Sequence, residues 1–156
     1  ARLAEAGARL LVADLDEARV AAAVERFGAE AVAPRDILAA NCDILAPCAL
    51  GAVLDDDSIA HLKAGIVAGA ANNQLAEARH GVELMTRGIL YAPDYVINAG
   101  GIIDVYYERT GFDRAAVMAH IEGIHDNLMA VFARARREER PTGEVADAIA
   151  EERFRR

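Results

Sequence analysis

Four apolar segments, each ended by polar or small residues, alternate with segments of helical periodicity along the chain. They are ARLLVADLD (residues 8–16), CDILAPCALG (42–51), GIVAGAANN (65–73) and ILYAPDYVINAGG (89–101). Their apolar residues are largely consecutive instead of alternating with polar ones, which is typical of strands buried on both faces of a parallel sheet. Strands separated by helices in this way predict a parallel, doubly wound α/β fold.

Capping residues mark the ends of several predicted helices. Asp16 and Asp113 each precede a helix and are expected to cap its N-terminus, and Gly28 ends the first of these two helices. Pro141 separates the last two helices, which follow no strand, so we expect them to pack on an edge of the sheet or to reach another domain. The predicted helical segments are residues 1–6, 16–28, 55–64, 74–88, 102–111, 113–137 and 143–154.

Residues with binding chemistry stand where the predicted strands end. Asp14 ends the first strand, Ala49 and Gly51 follow the second, Asn72–Asn73 end the third, and Asn98 follows the fourth. In a doubly wound sheet, ligands bind beyond the carboxyl ends of the strands. We therefore expect these residues to meet in one crevice.

Asp14 is a candidate for binding the ribose of a dinucleotide. A carboxylate in this position can accept hydrogen bonds from both hydroxyls of an adenosine ribose, and its charge would repel a 2′-phosphate. The position therefore favours NAD over NADP. The alternative is that Asp14 caps the following helix, a role for which Asp16 is also available.

The segment PCALG, residues 47–51, has two interpretations. It is either a surface that a planar ring approaches closely or a tight turn at the exit of a strand. Cys48 within it is expected to be a packed residue and not a nucleophile, because no His lies nearby in the sequence.

The amides are candidates for contacts with a polar ligand. One of Asn72 and Asn73 is expected to cap the next helix while the other faces the crevice, where a carboxamide can both donate and accept hydrogen bonds. Asn98 is similar. Gly100–Gly101 after it allow a ligand close to the backbone and begin a helix whose free N–H groups favour anions.

Composition excludes some classes of function. The 156 residues carry a net charge of −8 and no basic stripe with interleaved aromatics, so we expect no nucleic-acid partner. The sequence contains no run of about 18 apolar residues, so it predicts no membrane span. The two cysteines, Cys42 and Cys48, form no zinc-ligand pattern and make the cytoplasm the default compartment. No paired-carboxylate, Ser/His/Asp or metal constellation is evident.

One expected element is missing. The glycine fingerprint G-x-G-x-x-G of a dinucleotide fold should lie about 20 residues before the ribose-binding acid. Residues 1–13 precede Asp14 and contain no G-x-G. We therefore expect a Rossmann-type sheet that lacks its first strand and Gly-rich loop.

Three motifs carry a family resemblance. CDILAPCALG, GAANNQL and ILYAPDYVINAGGIIDV closely resemble the amino-acid dehydrogenases for Glu, Leu, Phe and Val, and the leucine dehydrogenase branch most. The resemblance implies oxidative deamination of an L-amino acid by NAD⁺ to the 2-oxoacid, ammonia and NADH. It also implies a homo-oligomer. Residues 1–156 would then be part of the dinucleotide-binding domain, with sheet and crossover helices to about residue 112 and C-terminal helices in 113–156, and with the substrate domain absent.

The resemblance also implies roles for single residues. Asp14 would bind the ribose, and Cys48 and Ala49 would line the nicotinamide. Asn72 and Asn98 would contact the cofactor. Asn73 would contact the substrate main chain, and Ile102 and Val105 the substrate side chain.

The family uses two catalytic lysines and an acid from its N-terminal domain, whereas Lys63 is the sole lysine here. We therefore expect no catalytic residue in this chain, no activity from it alone, and weak NAD affinity. The alternatives are a non-catalytic NAD-binding or interaction module, or an enzyme that prefers phenylalanine or valine.

Overall fold

The computed structural model describes residues 2–155 and shows helices and short strands in alternation as far as β5. The strands in this range are β1 (Leu11–Val12), β2 (Glu30–Ala31), β3 (Ile44–Leu45), β4 (Ile66–Val67) and β5 (Leu90–Tyr91). The α-helices are α1 (Arg2–Glu5), α2 (Glu17–Phe27), α3 (Asp56–His61), α4 (Arg79–Thr86), α5 (Asp94–Ile97), α6 (Gly100–Thr110), α7 (Arg114–Glu138) and α8 (Thr142–Phe154). A 3-10 turn at Ile37–Ala39 precedes β3.

The strands form two parallel sheets, which confirms the predicted α/β class. β1 pairs with β2, and β3, β4 and β5 form a second sheet in that order. In the Rossmann order 3-2-1-4-5-6, a central strand lies between the strands that correspond to β1 and β3. The division into two sheets is therefore consistent with the predicted lack of the first strand.

Two features of the first sheet differ from the prediction. The sequence does not predict β2, because Glu30 and Ala31 belong to no apolar run. Both residues are exposed in the structure. β1 covers only Leu11–Val12 and is half-buried, although its sequence predicts burial on both faces. Its pairing within residues 2–155 is with β2 alone, which leaves its other edge unpaired.

Local capping sets the helix ends as predicted. Asp16 accepts a hydrogen bond from the N–H of Ala18 and caps α2, which ends at Gly28 with a left-handed φ of 63°. Asp113 likewise accepts from the first turn of α7. α3 begins with a reciprocal capping box between Asp55 and Ser58.

The main core lies between the three-stranded sheet and helices α3 and α4. Val67 of β4, Ile59 of α3 and Leu84 of α4 are fully buried in it together with Leu54. Burial of an aliphatic side chain of this size contributes about 1.5–3 kcal/mol, so this cluster anchors the strands whose ends carry the predicted site.

The last two helices pack on the edge of the second sheet, which is one of the two predicted arrangements. Val131 of α7 packs with Val145 of α8, and the Thr142 hydroxyl donates to the carbonyl of Tyr91 in the edge strand β5 at 2.7 Å. None of the helices within residues 2–155 is long and apolar enough to cross a bilayer.

Two helix boundaries correct the prediction. α4 begins at Arg79, not at residue 74, because Leu75 forms a parallel bridge with Leu54 and keeps the preceding segment extended. The segment after β5, predicted as strand and loop, forms the short helix α5, which ends at Ile97 with Asn98 as its C-cap.

Candidate functional site

The strand ends of β4 and β5 meet through two asparagine side chains. Nδ2 of Asn98, just after α5, donates to Oδ1 of Asn72 at 2.6 Å and to the carbonyl of Ala70 at 3.3 Å. The predicted convergence is therefore confirmed for these two strand ends. These two bonds use both N–H groups of Asn98 and one lone pair of Asn72. Asn98 keeps its carbonyl oxygen, and Asn72 keeps its NH₂ group and a second lone pair, for a ligand.

Asn73 has a left-handed backbone and an available side chain. Its φ is 52°, a conformation that residues other than Gly, Asn and Asp rarely adopt. Its N–H donates to Oδ2 of Asp94 at 2.7 Å, and its carbonyl accepts from the N–H of Ala52 at 2.6 Å. Its carboxamide makes no hydrogen bond within residues 2–155, so this group is free to bind a ligand.

Neither amide caps α4, which corrects the expectation that one of them would. The helix starts at Arg79, beyond the reach of Asn72 and Asn73, and its N-cap position is Ala78 without a side-chain bond. The next residue, Gln74, is buried and does not cap α4 either. Its side-chain amide donates to the carbonyls of Gly69 and Ala71.

Two glycines allow the loops after β3 and β4 to touch backbone to backbone. A Cβ on Gly51 would lie 2.7 Å from the carbonyl oxygen of Asn72 and 3.0 Å from that of Asn73. A Cβ on Gly69 would lie 2.5 Å from the nitrogen of Pro47 and would also overlap its carbonyl oxygen. Contacts of this length require glycine, so these positions fix how closely the two loops pack.

Asp94 is a site residue that the sequence reasoning missed. The residue is 9% exposed, and its carboxylate accepts from the Tyr91 hydroxyl at 2.8 Å as well as from the N–H of Asn73. Burial, reinforced by the bond to Asp94, raises the pKa of Tyr91 well above its ordinary value and keeps this hydroxyl a donor. The available signal was a lone acid in the otherwise apolar segment ILYAPDYVI, residues 89–97.

Asp14 lies just after β1 with an exposed carboxylate. Its Oδ1 accepts from the N–H of Asp16 at 2.9 Å, and its Oδ2 is 3.9 Å from Arg19. Asp16 performs the helix capping, so the capping alternative for Asp14 is wrong. No hydrogen bond or ion pair within residues 2–155 joins Asp14 to the Asn72–Asn98 pair, and its membership of the same crevice stays a prediction.

Cys48 and Ala49 lie in the loop after β3 and are both exposed. The expectation that Cys48 is packed is therefore wrong. The chain turns away from the core after Pro47, which is buried, and so the next side chains face solvent. Both residues are accessible to a ligand.

Ile102 and Val105 lie one turn apart on α6 with exposures of 70% and 48%. Ile102 borders a largely apolar groove of about 600 Å³ between α6, α7 and α8, whose other lining residues include Tyr106 and Ile149. Asn73 and Val105 do not line this groove. The predicted wall for a substrate side chain stays a prediction, although both residues are accessible.

A cluster of potential metal ligands occurs elsewhere in the fold. Ligand atoms of Asp56, His80 and Glu83 lie within 4.8 Å of one another. His80 is buried, and its Nδ1 accepts from the N–H of Glu77, so its proton is on Nε2 and is donated to Asp56. Asp56 also binds the Arg79 guanidinium through both oxygens. These bonds join α3 to α4 and already occupy His80 and Asp56.

Comparison with known proteins identifies the family. Residues 7–151 match the family model for Glutamate/Leucine/Phenylalanine/Valine dehydrogenase. The chain is 54% identical over 152 residues to leucine dehydrogenase of Geobacillus stearothermophilus, covering 97% of this chain and 41% of that protein. It thus spans about two fifths of the length of the curated relatives it matches.

Two solved structures share the fold. The crystal structure of L-tryptophan dehydrogenase from Nostoc punctiforme superposes with a TM-score of 0.96 at 42% identity, covering 99% of this chain and 47% of that one. Hetero-hexameric glutamate dehydrogenase from Thermus thermophilus gives a TM-score of 0.67 at 27% identity, covering 89% and 36%. The strand-end amides thus stand on the fold of known amino-acid dehydrogenases, and the chain belongs to the Glu/Leu/Phe/Val dehydrogenase family.

Proposed function

We propose that the chain forms the cofactor-binding part of an NAD-dependent dehydrogenase for leucine and other branched-chain L-amino acids. The observation that carries the proposal is the contact between Asn72 and Asn98, which places two carboxamides side by side at the ends of adjacent parallel strands. The 54% identity to a leucine dehydrogenase supports the choice of substrate.

The residues present fit a dinucleotide. The glycines at positions 51 and 69 let the strand-end loops pack backbone to backbone, and the amides of Asn72 and Asn98 lie beside these loops. Just after β1, the carboxylates of Asp14 and Asp16 both lie within ion-pair distance of Arg19. Two acids face one base, so the local charge is negative. A negative site accepts ribose hydroxyls and repels a 2′-phosphate, which favours NAD over NADP.

The chain binds and orients the reactants. NAD⁺ supplies the hydride acceptor when it is bound. The amides of Asn72 and Asn98 hold the nicotinamide carboxamide, and Cys48 and Ala49 contact the ring. The free carboxamide of Asn73 contacts the main-chain groups of the amino acid.

The exposed aliphatic pair Ile102 and Val105 contacts the substrate side chain. An apolar wall disfavours a charged side chain, because that charge would lose water without gaining a partner. The wall therefore favours an apolar amino acid, and the identity to leucine dehydrogenase favours an aliphatic one. The products are its 2-oxoacid and ammonia.

Proton transfer belongs to a region outside residues 1–156. Lys63 is the sole lysine and is exposed on the segment between α3 and β4. The proposal therefore includes a second, N-terminal domain that supplies the lysines and the acid. Like the hexameric relative of known structure, the complete protein assembles as an oligomer, here from identical subunits.

An assay of NADH formation tests the proposal. The full-length protein that carries this chain should oxidise L-leucine, L-valine and L-isoleucine with NAD⁺, and the 156-residue chain alone should show no turnover and bind NAD only weakly in calorimetry. Absence of NADH formation with every amino acid tested would contradict the proposal and favour a non-catalytic NAD-binding module. Turnover by the isolated chain would disprove the assignment of catalysis to another domain.

A second candidate substrate class is aromatic. The TM-score of 0.96 with a tryptophan dehydrogenase favours it, because the same backbone serves an aromatic substrate in that protein. L-phenylalanine and L-tryptophan in the same assay decide the matter, since the class with the higher kcat/KM is the substrate class.

A further inference from the structure

Asp94 has a buried carboxylate whose hydrogen bonds leave its own helix. The residue lies in the first turn of α5, yet neither oxygen caps that helix. Oδ2 accepts from the N–H of Asn73, which lies 21 residues earlier, and Oδ1 accepts from the Tyr91 hydroxyl. Each oxygen thus has one donor from another segment, and the carboxylate joins the end of β4 to the end of β5.

The donor of the bond to Oδ2 is the backbone N–H of Asn73, a residue with a left-handed conformation. Asn73 is one of the few non-glycine residues within 2–155 with a positive φ, and its peptide is held on both sides, by Asp94 at the N–H and by Ala52 at the carbonyl. The side chain between these two fixed points is the carboxamide, which has no hydrogen-bond partner among the described residues 2–155. The direction of that carboxamide therefore depends on the two backbone bonds.

We infer that Asp94 is a positioning residue that holds the Asn72–Asn73 turn so that the carboxamide of Asn73 meets the main chain of an amino-acid substrate. This inference rests on the proposed function. Asp94 acts through Asn73 and does not touch the reactants. Asn72 is held separately by Asn98, so loss of Asp94 should disturb amino-acid binding more than cofactor binding.

Two substitutions separate the effect of side-chain length from that of charge. Asp94→Asn keeps the length, because its amide oxygen can accept from the N–H of Asn73 while its NH₂ donates to the Tyr91 hydroxyl, which can accept. Asp94→Glu keeps the charge but displaces the carboxylate by one methylene. Asp147 provides the matched control, since it accepts from the Tyr95 hydroxyl at 2.7 Å and joins α5 to α8 without contacting Asn73.

The kinetic test uses the full-length protein. For Asp94→Glu, kcat/KM for the amino acid should fall about 10- to 100-fold, as expected for misplacement by about 1 Å, while the KM for NAD⁺ changes less than about threefold. For Asp94→Asn, kcat/KM for the amino acid and the KM for NAD⁺ should both stay within about threefold of the wild-type values. The same holds for Asp147→Asn and Asp147→Glu. Equal losses for both substrates, or a larger loss for Asn than for Glu, would overturn the inference.

Hydrogen exchange tests the contact independently of turnover. The Asn73 amide should be protected in wild type and in Asp94→Asn and should exchange faster in Asp94→Glu, at unchanged protection of the β4 core. An unprotected Asn73 amide in wild type would refute the positioning role. If the wild-type protein oxidises no amino acid but the exchange pattern holds, the proposed function fails and the structural contact stands.

Discussion

Asn72 and Asn98 are 26 residues apart in sequence, yet Oδ1 of the first accepts a hydrogen bond of 2.6 Å from Nδ2 of the second. The parallel pairing of β4 with β5 creates this contact, since it brings the carboxyl ends of both strands to one edge of the sheet. Two amides in mutual contact are fixed in orientation, and this makes them suitable to hold a planar carboxamide.

The first prediction concerns this pair. Asn98→Ala should raise the KM for NAD⁺ about 10-fold in the full-length protein, because the hydrogen bond that we propose between Asn98 and the cofactor and the restraint on Asn72 are both lost. In a double-mutant cycle with Asn72→Ala, the coupling should be about 0.5–1.5 kcal/mol. Asn41→Ala, an exposed amide before β3, is the control and should leave the KM unchanged. Strict additivity of the two substitutions would show that the pair does not act together.

The second prediction separates cofactor choice from helix capping at the end of β1. Asp14→Ala should weaken NAD⁺ binding about 10-fold and reduce the discrimination against NADP⁺, because it removes the carboxylate that we propose accepts hydrogen bonds from the ribose hydroxyls. Asp16→Ala should instead destabilise the fold by about 1 kcal/mol through loss of the α2 cap, with a smaller effect on NAD⁺. Calorimetric titration and denaturant unfolding measure the two effects. Unchanged NAD⁺ affinity in Asp14→Ala would remove the ribose assignment.

The third prediction uses two glycines with opposite surroundings. Gly69→Ala should destabilise the protein by about 3 kcal/mol or more, because its Cβ would overlap the backbone of Pro47. Gly123→Ala in α7 has no neighbour within 4 Å of the new Cβ and should stabilise the helix by about 1 kcal/mol. Urea denaturation of both variants checks the pair. A stable Gly69→Ala variant would mean that the loops after β3 and β4 are not in backbone contact.

The fourth prediction concerns pH. Hydrogen bonds from Arg79, and to a smaller extent from His80, lower the pKa of Asp56 from 3.8 to about 2 in the folded protein. A pKa lower in the folded than in the unfolded chain stabilises the fold above about pH 4, and this stabilisation is lost as the pH falls towards 2. Asp56→Asn should therefore have a lower Tm than wild type at pH 6, and the difference should shrink between pH 4 and pH 2.5.

The control for this measurement is Asp57→Asn. Asp57 is the next residue of α3, is exposed, and lies 3.8 Å from His61 without contacting Arg79. Its variant should follow the wild-type curve closely over the whole range. A Tm difference for Asp56→Asn that is constant from pH 6 to pH 2.5 would show that the carboxylate does not stabilise the fold through its charge.

The sequence by itself determined the elements whose signals are local. Helix caps such as Asp16 and Asp113 act on N–H groups two or three residues away, so their effect is readable from spacing alone. The apolar runs identified four strands correctly, whereas β2 escaped because its exposed residues carry no hydrophobic pattern. The strand-end positions of Asn72 and Asn98 followed from the same runs.

Only the tertiary structure decided which of these residues meet. Three contacts join segments more than 20 residues apart. They are the Asn72–Asn98 hydrogen bond, the buried hydrogen bond from Asn73 to Asp94, and the close approach of Gly69 to the backbone of Pro47. Such contacts depend on the order and register of the strands, and a side chain carries no local mark of its distant partner. For this reason Asp94 stood in the sequence only as a lone acid within an apolar segment, and its hydrogen bond with Asn73 emerged only once β4 lay beside β5.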